Sequence, residues 1–320
     1  MNKNLALIVI FILVFFSTGY AQDLQHAKKL YGERKWDEAF LEFSKIKKNT
    51  PGYAESMYHL GLISRRRKDY EKAEEYLKLA IGTNASVAHY HIALGSLYGQ
   101  IASDANIVRQ GLLAPKIKGA FETAAQLDPK NIESRWMLIA YYTRAPKIMG
   151  GDIEKSKTIA DEIMKINQAE GNRAWGMIWD LEKKNDLAEK NFLRALALAP
   201  DSIIYYGALA RFYETVSKPE KAFAVYARAV ARFPENRQAY LQMGKIASTT
   251  GKNMDEGQKM LQAYLNLTTN KNDRNLANAH YYLGLIEKNR GNSVNAKKQI
   301  ELALKINPDH KLSKELLRTL

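Results

Sequence analysis

The sequence of 320 residues contains no cysteine, only eight prolines, and a single long apolar run, which lies at its N-terminus. The absence of cysteine excludes disulfides, thiolate metal sites, lipidation of a thiol and cysteine nucleophiles. The chain has only 34 acidic residues against 48 basic residues, so its formal net charge is +14. Hydrophobic residues make up 46% and charged residues 26%, a balance typical of a chain that folds around a core.

The N-terminal apolar run has the layout of a secretory signal peptide. Lys3 precedes the apolar stretch from Leu5 to Phe16, and the small residues Gly19 and Ala21 follow it. We therefore predict that residues 1–21 are removed and that the mature protein is exported, to the periplasm or the extracellular space. The alternative is an uncleaved membrane anchor, although the apolar stretch is shorter than the ~20 residues that a spanning helix needs.

Export changes what the positive charge implies about partners. Outside the cytoplasm, the anions that meet a basic protein are lipid headgroups, envelope polymers and acidic proteins. Nucleic acid is therefore not an expected partner, despite the basic composition.

Similar phrases recur along the chain and end in a proline. In four of them an alanine stands five residues, and a large apolar residue eight residues, before that proline, as expected for one face of a helix. The four pairs are Phe121 and Ala124, Phe192 and Ala195, Tyr226 and Ala229, and Ile300 and Ala303.

Two further sets of positions fix the period of the repeat. Twelve residues before each closing position stand Ala39, Ala73, Ile117, Ser156, Ala188, Ala222, Gly257 and Ala296, at intervals of 32 to 44 residues. Upstream of each lies a phrase that pairs a large residue with a small one, for example Leu60-Gly61, Trp175-Gly176, Met243-Gly244 and Leu283-Gly284. A period near 34 residues is typical of arrays of helical hairpins.

These phrases resemble the tetratricopeptide repeat (TPR) family, in eight units from about Asp23 to Asp309. The resemblance implies an all-α fold: a right-handed α-solenoid of about eight TPR helix-turn-helix units, forming a single domain over residues 22–320. A C-terminal capping helix is expected after the last unit. Its inner side would carry Leu312, Leu316 and Leu317.

Local signals mark the ends of several predicted helices. Gly32, Gly251 and Gly291 fall where the two helices of a pair are joined, and glycine adopts unusual backbone conformations at little cost. Ser217 followed by Pro219 predicts a capped helix start.

Two adjacent units carry extra residues, near positions 99–116 and 144–152. Insertions on one side of a solenoid are often where binding specificity resides, so we predict that these two meet at a site. The alternative is purely structural, with Gly150-Gly151 as a turn and Asp152 as the cap of the next helix.

No set of residues indicates catalysis, a metal or a cofactor. His89 and His91 are two residues apart, and such neighbours point to different sides of a helix. The sequence contains no nucleophile elbow, phosphate-binding glycine loop or His-Glu-x-x-His motif. We therefore predict a protein that is not an enzyme and needs no cofactor or metal.

The resemblance implies a groove lined by the first helix of each unit. The predicted partner-binding residues are Tyr58, Arg65, Arg66, Trp136, Arg144, Arg173, Met177, Arg211, Lys245, Tyr281 and Lys288. Their aromatic and basic character favours an acidic peptide or protein segment. The predicted function is a protein–protein interaction scaffold of the cell envelope. The alternative is an accessory protein of a transport or assembly system that binds a small ligand or an envelope polymer near the insertions, and the oligomeric state stays open.

Overall fold

The computed structural model describes residues 23–270, 273 and 275–320. The predicted signal peptide, residues 1–21, lies outside the described residues. Across the described part of the chain all regular structure is helical, which confirms the all-α prediction. None of the helices described there is both long enough and apolar enough to cross a membrane.

Helices follow one another with short connections. Their bounds are α1 at 23–32, α2 Trp36–Ser44, α3 Tyr53–Arg66, α4 Tyr70–Thr83, α5 Ala88–Ser103, α6 Ile107–Leu127, α7 Ile132–Arg144, a 3-10 helix Lys147–Met149, α8 Ile153–Ile166, α9 Gln168–Leu181, α10 Asn185–Leu198, α11 Ile203–Thr215, α12 Pro219–Arg232, α13 Arg237–Thr250, α14 Met254–Leu267, α15 Asn275–Asn289, α16 Ser293–Ile306 and α17 Lys311–Leu317.

Consecutive helices pack in pairs, from α1 with α2 to α15 with α16, so the predicted eight helical hairpins and the capping helix are confirmed. The chain divides into two compact units, one that ends at Ile166 and one that begins at Asn167. Each unit is a stack of four pairs with its own apolar core. That residues 22–320 form a single domain stays a prediction.

The close approach of the two helices in a pair depends on a glycine of the first helix. In five pairs, a Cβ placed on this glycine would lie 2.2 to 2.8 Å from a large side chain of the second helix. The five contacts join Gly61 to Leu77, Gly95 to Phe121, Gly176 to Phe192, Gly244 to Leu261, and Gly284 to Ile300. These are small and large positions of the sequence repeat, and the structure shows that they contact each other.

The turns inside most pairs contain a residue with positive φ, and a glycine takes this conformation at Gly251 and Gly291. The prediction for Gly32 was wrong, because this residue is still helical and Arg34, with φ of 62°, takes the left-handed position. The predicted capping role of Ser217 was also wrong. Ser217 has φ of 56° and belongs to this turn, while the helix begins at Pro219 as predicted.

The two insertions take different forms. The first lengthens α5 and α6, so that α6 has 21 residues with Pro115 inside it. The second forms the 3-10 helix and a turn in which Gly150 has φ of 90°. Asp152 then accepts hydrogen bonds from the backbone N–H groups of Glu154 and Lys155, at 3.0 and 3.3 Å. The structural interpretation of this segment, a glycine turn followed by a cap, is therefore confirmed.

The capping helix α17 packs against α15 and α16. Leu316 is buried as predicted, but Leu312 is 47% exposed, so its predicted inward position was wrong. Ser313 is buried in its place, and the His310 side chain caps the helix by accepting the Ser313 N–H.

The glycine contacts lead to a stability prediction. Gly244→Ala should lower the free energy of unfolding by about 1–3 kcal/mol, because the added methyl overlaps Leu261, which is fully buried. The matched control is Gly207→Ala, also inside a helix, where nothing lies within 4 Å of the new methyl. This variant should be about 0.5–1 kcal/mol more stable than the parent, since alanine favours the helix. Urea unfolding followed by circular dichroism measures both, and equal effects of the two changes would contradict the packing contact.

Candidate functional site

The predicted partner-binding residues are distributed over both units, which are described separately. The first unit holds Tyr58, Arg65, Arg66, Trp136 and Arg144, and the second holds Arg173, Met177, Arg211, Lys245, Tyr281 and Lys288. The structure brings only some of them together.

In the first unit, Arg65 and Arg66 line a cleft of about 310 Å³ with Tyr31 and Trp36. The Arg66 guanidinium lies 4.7 Å from the centre of the Trp36 ring, a cation–π contact. Neither arginine has an ion-pair partner among the described residues, whereas the adjacent Arg67 pairs with Asp37 and is occupied structurally.

Tyr58 belongs to an aromatic cluster that reaches the cleft residue Tyr31 through His59, whose ring lies 4.7 Å from that of Tyr31. The Tyr58 ring contacts those of His59, His89 and Tyr90 at centroid distances of 4.8 to 5.2 Å, and burial raises the pKa of Tyr58 to about 12. His59 stacks on Phe43 at 4.6 Å, and its Nδ1 is buried without a hydrogen-bond partner. Packing within the chain therefore accounts for the position of Tyr58 without any ligand.

A second cavity of the first unit lies between the two insertions and has a volume of about 440 Å³. We call it the insertion pocket. It is lined by Gly95, Ser96, Gly99, Ala102, Ser103, Gln110, Ala114, Ile117, Phe121, Met137, Ala140, Tyr141, Arg144, Ala145, Pro146 and Met149. Both insertions contribute to this wall, as the sequence predicted. Arg144 lines it, whereas the predicted Trp136 is half-buried beside the lining residue Met137.

In the second unit, α11, α12 and α13 enclose a groove of about 530 Å³, here called the α11–α13 groove. Its walls are Ile203, Gly207, Arg211, Glu214, Tyr226, Ala229, Asn236, Gln238, Ala239, Gln242 and Lys245. The predicted residues Arg211 and Lys245 therefore line the same groove.

The polar groups of this groove differ in whether they have partners. Glu214 accepts hydrogen bonds from Lys245 at 2.8 Å and from the Tyr226 hydroxyl at 3.0 Å. Arg211 is exposed, donates from Nε to the Gly207 carbonyl at 3.1 Å, and has no ion pair within the described chain. The Oε1 atom of Gln242 is buried and lacks a hydrogen-bond partner, which is costly unless something else supplies one.

Sequence reasoning missed Gln238 and Gln242 as groove residues. Leu241 and Ser248, which stand four and three residues from Lys245 on α13, are buried in the core of the unit. On α13, Leu241 stands four residues before Lys245 and Gln242 three residues before it, so either could share the helical face of Lys245. Because Gln242 is polar and Leu241 is apolar, polarity was the signal that Gln242 belongs to the groove face.

Two of the predicted basic residues, Arg173 and Lys245, are paired with acidic side chains within the chain. Arg173 pairs with Glu170 at 2.5 Å, and Glu170 also accepts the Tyr205 hydroxyl, so this arginine is part of an internal network. Lys245 is neutralised by Glu214 in the same way. Met177 is partly buried against the core of the second unit.

The last two predicted residues contact the C-terminal end of the chain. The Tyr281 ring lies 5.6 Å from that of His310, at the start of α17, and the Lys288 ammonium donates to the Thr319 hydroxyl at 2.8 Å. The capping helix therefore covers part of the face that the sequence assigned to a partner.

The described residues contain no group of side chains that could bind a metal ion. Within residues 23–270, 273 and 275–320, no three histidine, aspartate or glutamate side chains are grouped so as to hold a metal ion. His91 contacts the Ala85 carbonyl at 2.9 Å, while His89 packs on Tyr58, so the two histidines diverge as expected.

Comparison with known proteins agrees with the geometry of the helix pairs. Family models described as tetratricopeptide repeat match residues 54–86 and 205–246. Both stretches are similar to tetratricopeptide repeats. The first coincides with α3 and α4, and the second extends from α11 into α13. Repeats of this kind serve in general as scaffolds for protein interactions.

Solved structures share the fold at low sequence identity. A tetratricopeptide repeat protein from Parabacteroides merdae is 14% identical, with a TM-score of 0.52 over 94% of this chain and 98% of its own. The human IFIT1 dimer with m7Gppp-AAAA is 14% identical, with a TM-score of 0.54 over 92% of this chain and 70% of its own. A search of the curated proteins finds no match to this sequence. These similarities establish the fold alone.

The buried histidine of the first unit leads to a prediction about pH. Burial lowers the pKa of His59 to about 4 from an ordinary value of 6.5, and the nearby Glu55 carboxylate only partly opposes this. Protonation therefore favours the unfolded chain. The stability that His59 contributes should be complete above pH 6.5 and should fall by about 3 kcal/mol as the pH drops to 4.

Urea unfolding between pH 7 and pH 4 measures this effect as a difference between variants. His59→Phe should remove its share of the pH dependence, whereas His26→Gln, at an exposed histidine, should leave the parent profile unchanged. A His59→Phe profile parallel to that of the parent would contradict the assignment.

Proposed function

We propose that this protein is an exported interaction scaffold that binds an extended segment of a partner protein in the α11–α13 groove. The observation that carries the proposal is the polar lining of this groove: Arg211 is exposed and has no ion pair among the described residues, and Gln238 and Gln242 line the same groove. A guanidinium and side-chain amides in one groove can hydrogen-bond to the backbone and to a carboxylate of an extended peptide.

The backbone of an extended peptide can hydrogen-bond to the side-chain amides of this wall. The peptide backbone presents N–H groups at regular intervals, and the Gln238 and Gln242 amides stand one helical turn apart on α13. On the opposite wall Gly207 has no side chain and leaves open space above α11. A peptide backbone can therefore approach α11 closely while the amides of α13 bind it from the other side.

The charges of the groove favour an acidic residue in that peptide. Lys245 and Glu214 offset one another, so Arg211 is the cation without an opposite charge among the groove residues described. A carboxylate of the partner would complete this pair and fix the register of the peptide, as charged contacts at interfaces commonly do.

The cellular location in this proposal comes from the sequence. The N-terminal pattern of Lys3, an apolar stretch and small residues before Gln22 is that of a secretory signal peptide. We infer that the scaffold acts in the cell envelope or outside the cell, and that its partner is a protein of the same compartment.

The test uses peptides selected from a random 12-residue display library and measured by titration calorimetry. Gly207→Leu should abolish binding, because the leucine occupies the space above α11. Gly119→Leu is the matched control, since this helical glycine also has open space but lies outside the groove. Peptides that bind Gly207→Leu as tightly as Gly119→Leu would refute the groove as the binding site.

The acidic contact has its own test by a double-mutant cycle. Replacing the key acidic residue of a selected peptide by its amide should weaken binding to the parent about tenfold, the effect of roughly 1.4 kcal/mol. The same replacement should have little effect on Arg211→Gln. An equal loss with both proteins would show that the acid binds elsewhere.

A further inference from the structure

The insertion pocket has the size and lining of a small-molecule site. Its volume of about 440 Å³ falls within the range of roughly 300–1,000 Å³ typical of such sites. Ile117, Phe121 and Met137 supply apolar walls, and small residues such as Gly99 and Ala140 leave the space between them open. A Cβ placed on Gly99 would meet nothing within 4 Å.

The wall formed by the second insertion is fixed by hydrogen bonds. The Tyr141 hydroxyl donates to the Met149 carbonyl, and the Asp152 N–H donates to the Tyr142 carbonyl at 2.9 Å. The Gly151 N–H donates to the Pro146 carbonyl at 3.1 Å. The pocket is therefore formed before any ligand arrives, which reduces the entropic cost of binding.

One charged residue stands among the lining residues. Arg144 is the last residue of α7, is exposed, and has no ion pair among the residues that the structure describes. All other lining residues are apolar or neutral. A mainly apolar cavity with a single unpaired guanidinium complements a molecule that has an apolar body and one anionic end.

Apolar side chains extend beyond the lining on both insertions. Ile107, one turn before the lining residue Gln110, is 63% exposed, and Ile148, next to Met149, is 93% exposed. They would give additional contact to a ligand whose apolar part is longer than the cavity.

We propose that the insertion pocket binds a small amphipathic anion, with its aliphatic part among Ile117, Phe121 and Met137 and its carboxylate at Arg144. This site lies in the first unit and does not depend on the peptide groove proposed for the second. It adds a ligand-binding function to the scaffold, with carboxylates of medium-length alkyl chains as the class of ligand.

The experiment titrates the full mature chain with octanoate and, as a neutral probe of equal length, 1-octanol. Octanoate should bind with a stoichiometry of one and at least tenfold more tightly than 1-octanol. From hexanoate to octanoate to decanoate, each added methylene should tighten binding about fourfold, as burial of alkyl groups predicts. Arg144→Gln should bring octanoate and 1-octanol to similar affinities.

A pocket-filling variant locates the site. Gly99→Leu should abolish octanoate binding, while Gly119→Leu, at a helical glycine with open space outside the pocket, should bind octanoate like the parent. Melting temperatures of both variants establish that they are folded. Three results would overturn the proposal: equal octanoate binding by the two variants, no saturable binding to the parent, or Gly99→Leu losing the library-selected peptides instead of octanoate.

Discussion

Helix pairs of this protein are held at close range by a glycine on the first helix that faces a large side chain on the second, as Gly244 faces Leu261. The backbone of one helix lies against the side chain of the other, so even one added methyl group overlaps the neighbour. Because this contact recurs in five pairs, the helices of both units keep a similar spacing. The faces of the first helices that do not pack against the second helices remain available for other contacts.

Sites arise where the chain departs from this regular packing. In the first unit, the regular repeat is interrupted by the lengthened helices α5 and α6 and by the 3-10 helix. The insertion pocket lies between these segments. In the second unit no insertion is needed, because Gly207 on α11 and the amides of α13 leave a polar groove between neighbouring pairs. We propose that the two cavities bind different ligands. The insertion pocket is mainly apolar with Arg144 as its charged residue, whereas the wall of the α11–α13 groove contains several side-chain amides.

Much of the fold was predictable because it depends on local periodicity. The positions of Ala303 and Ile300, or of Gly284, follow from helical spacing and a repeat near 34 residues. The pairing of the predicted basic residues could not be predicted, because the partners of Arg173 and Lys245 depend on how side chains orient after folding. Leu312 was misplaced for a related reason: a seven-residue helix has too few positions for its buried face to be read from periodicity alone.

Hydrogen exchange measured by mass spectrometry tests most directly whether one ligand binds in the insertion pocket and the other in the α11–α13 groove. With octanoate, the account predicts slower exchange confined to α5, α6, α7 and the 3-10 segment of the first unit. With a library-selected peptide, it predicts slower exchange confined to α11, α12 and α13 of the second unit. Protection that instead falls on helices outside both sites, such as α4, α10 or α14, or that is the same for both ligands, would contradict the account.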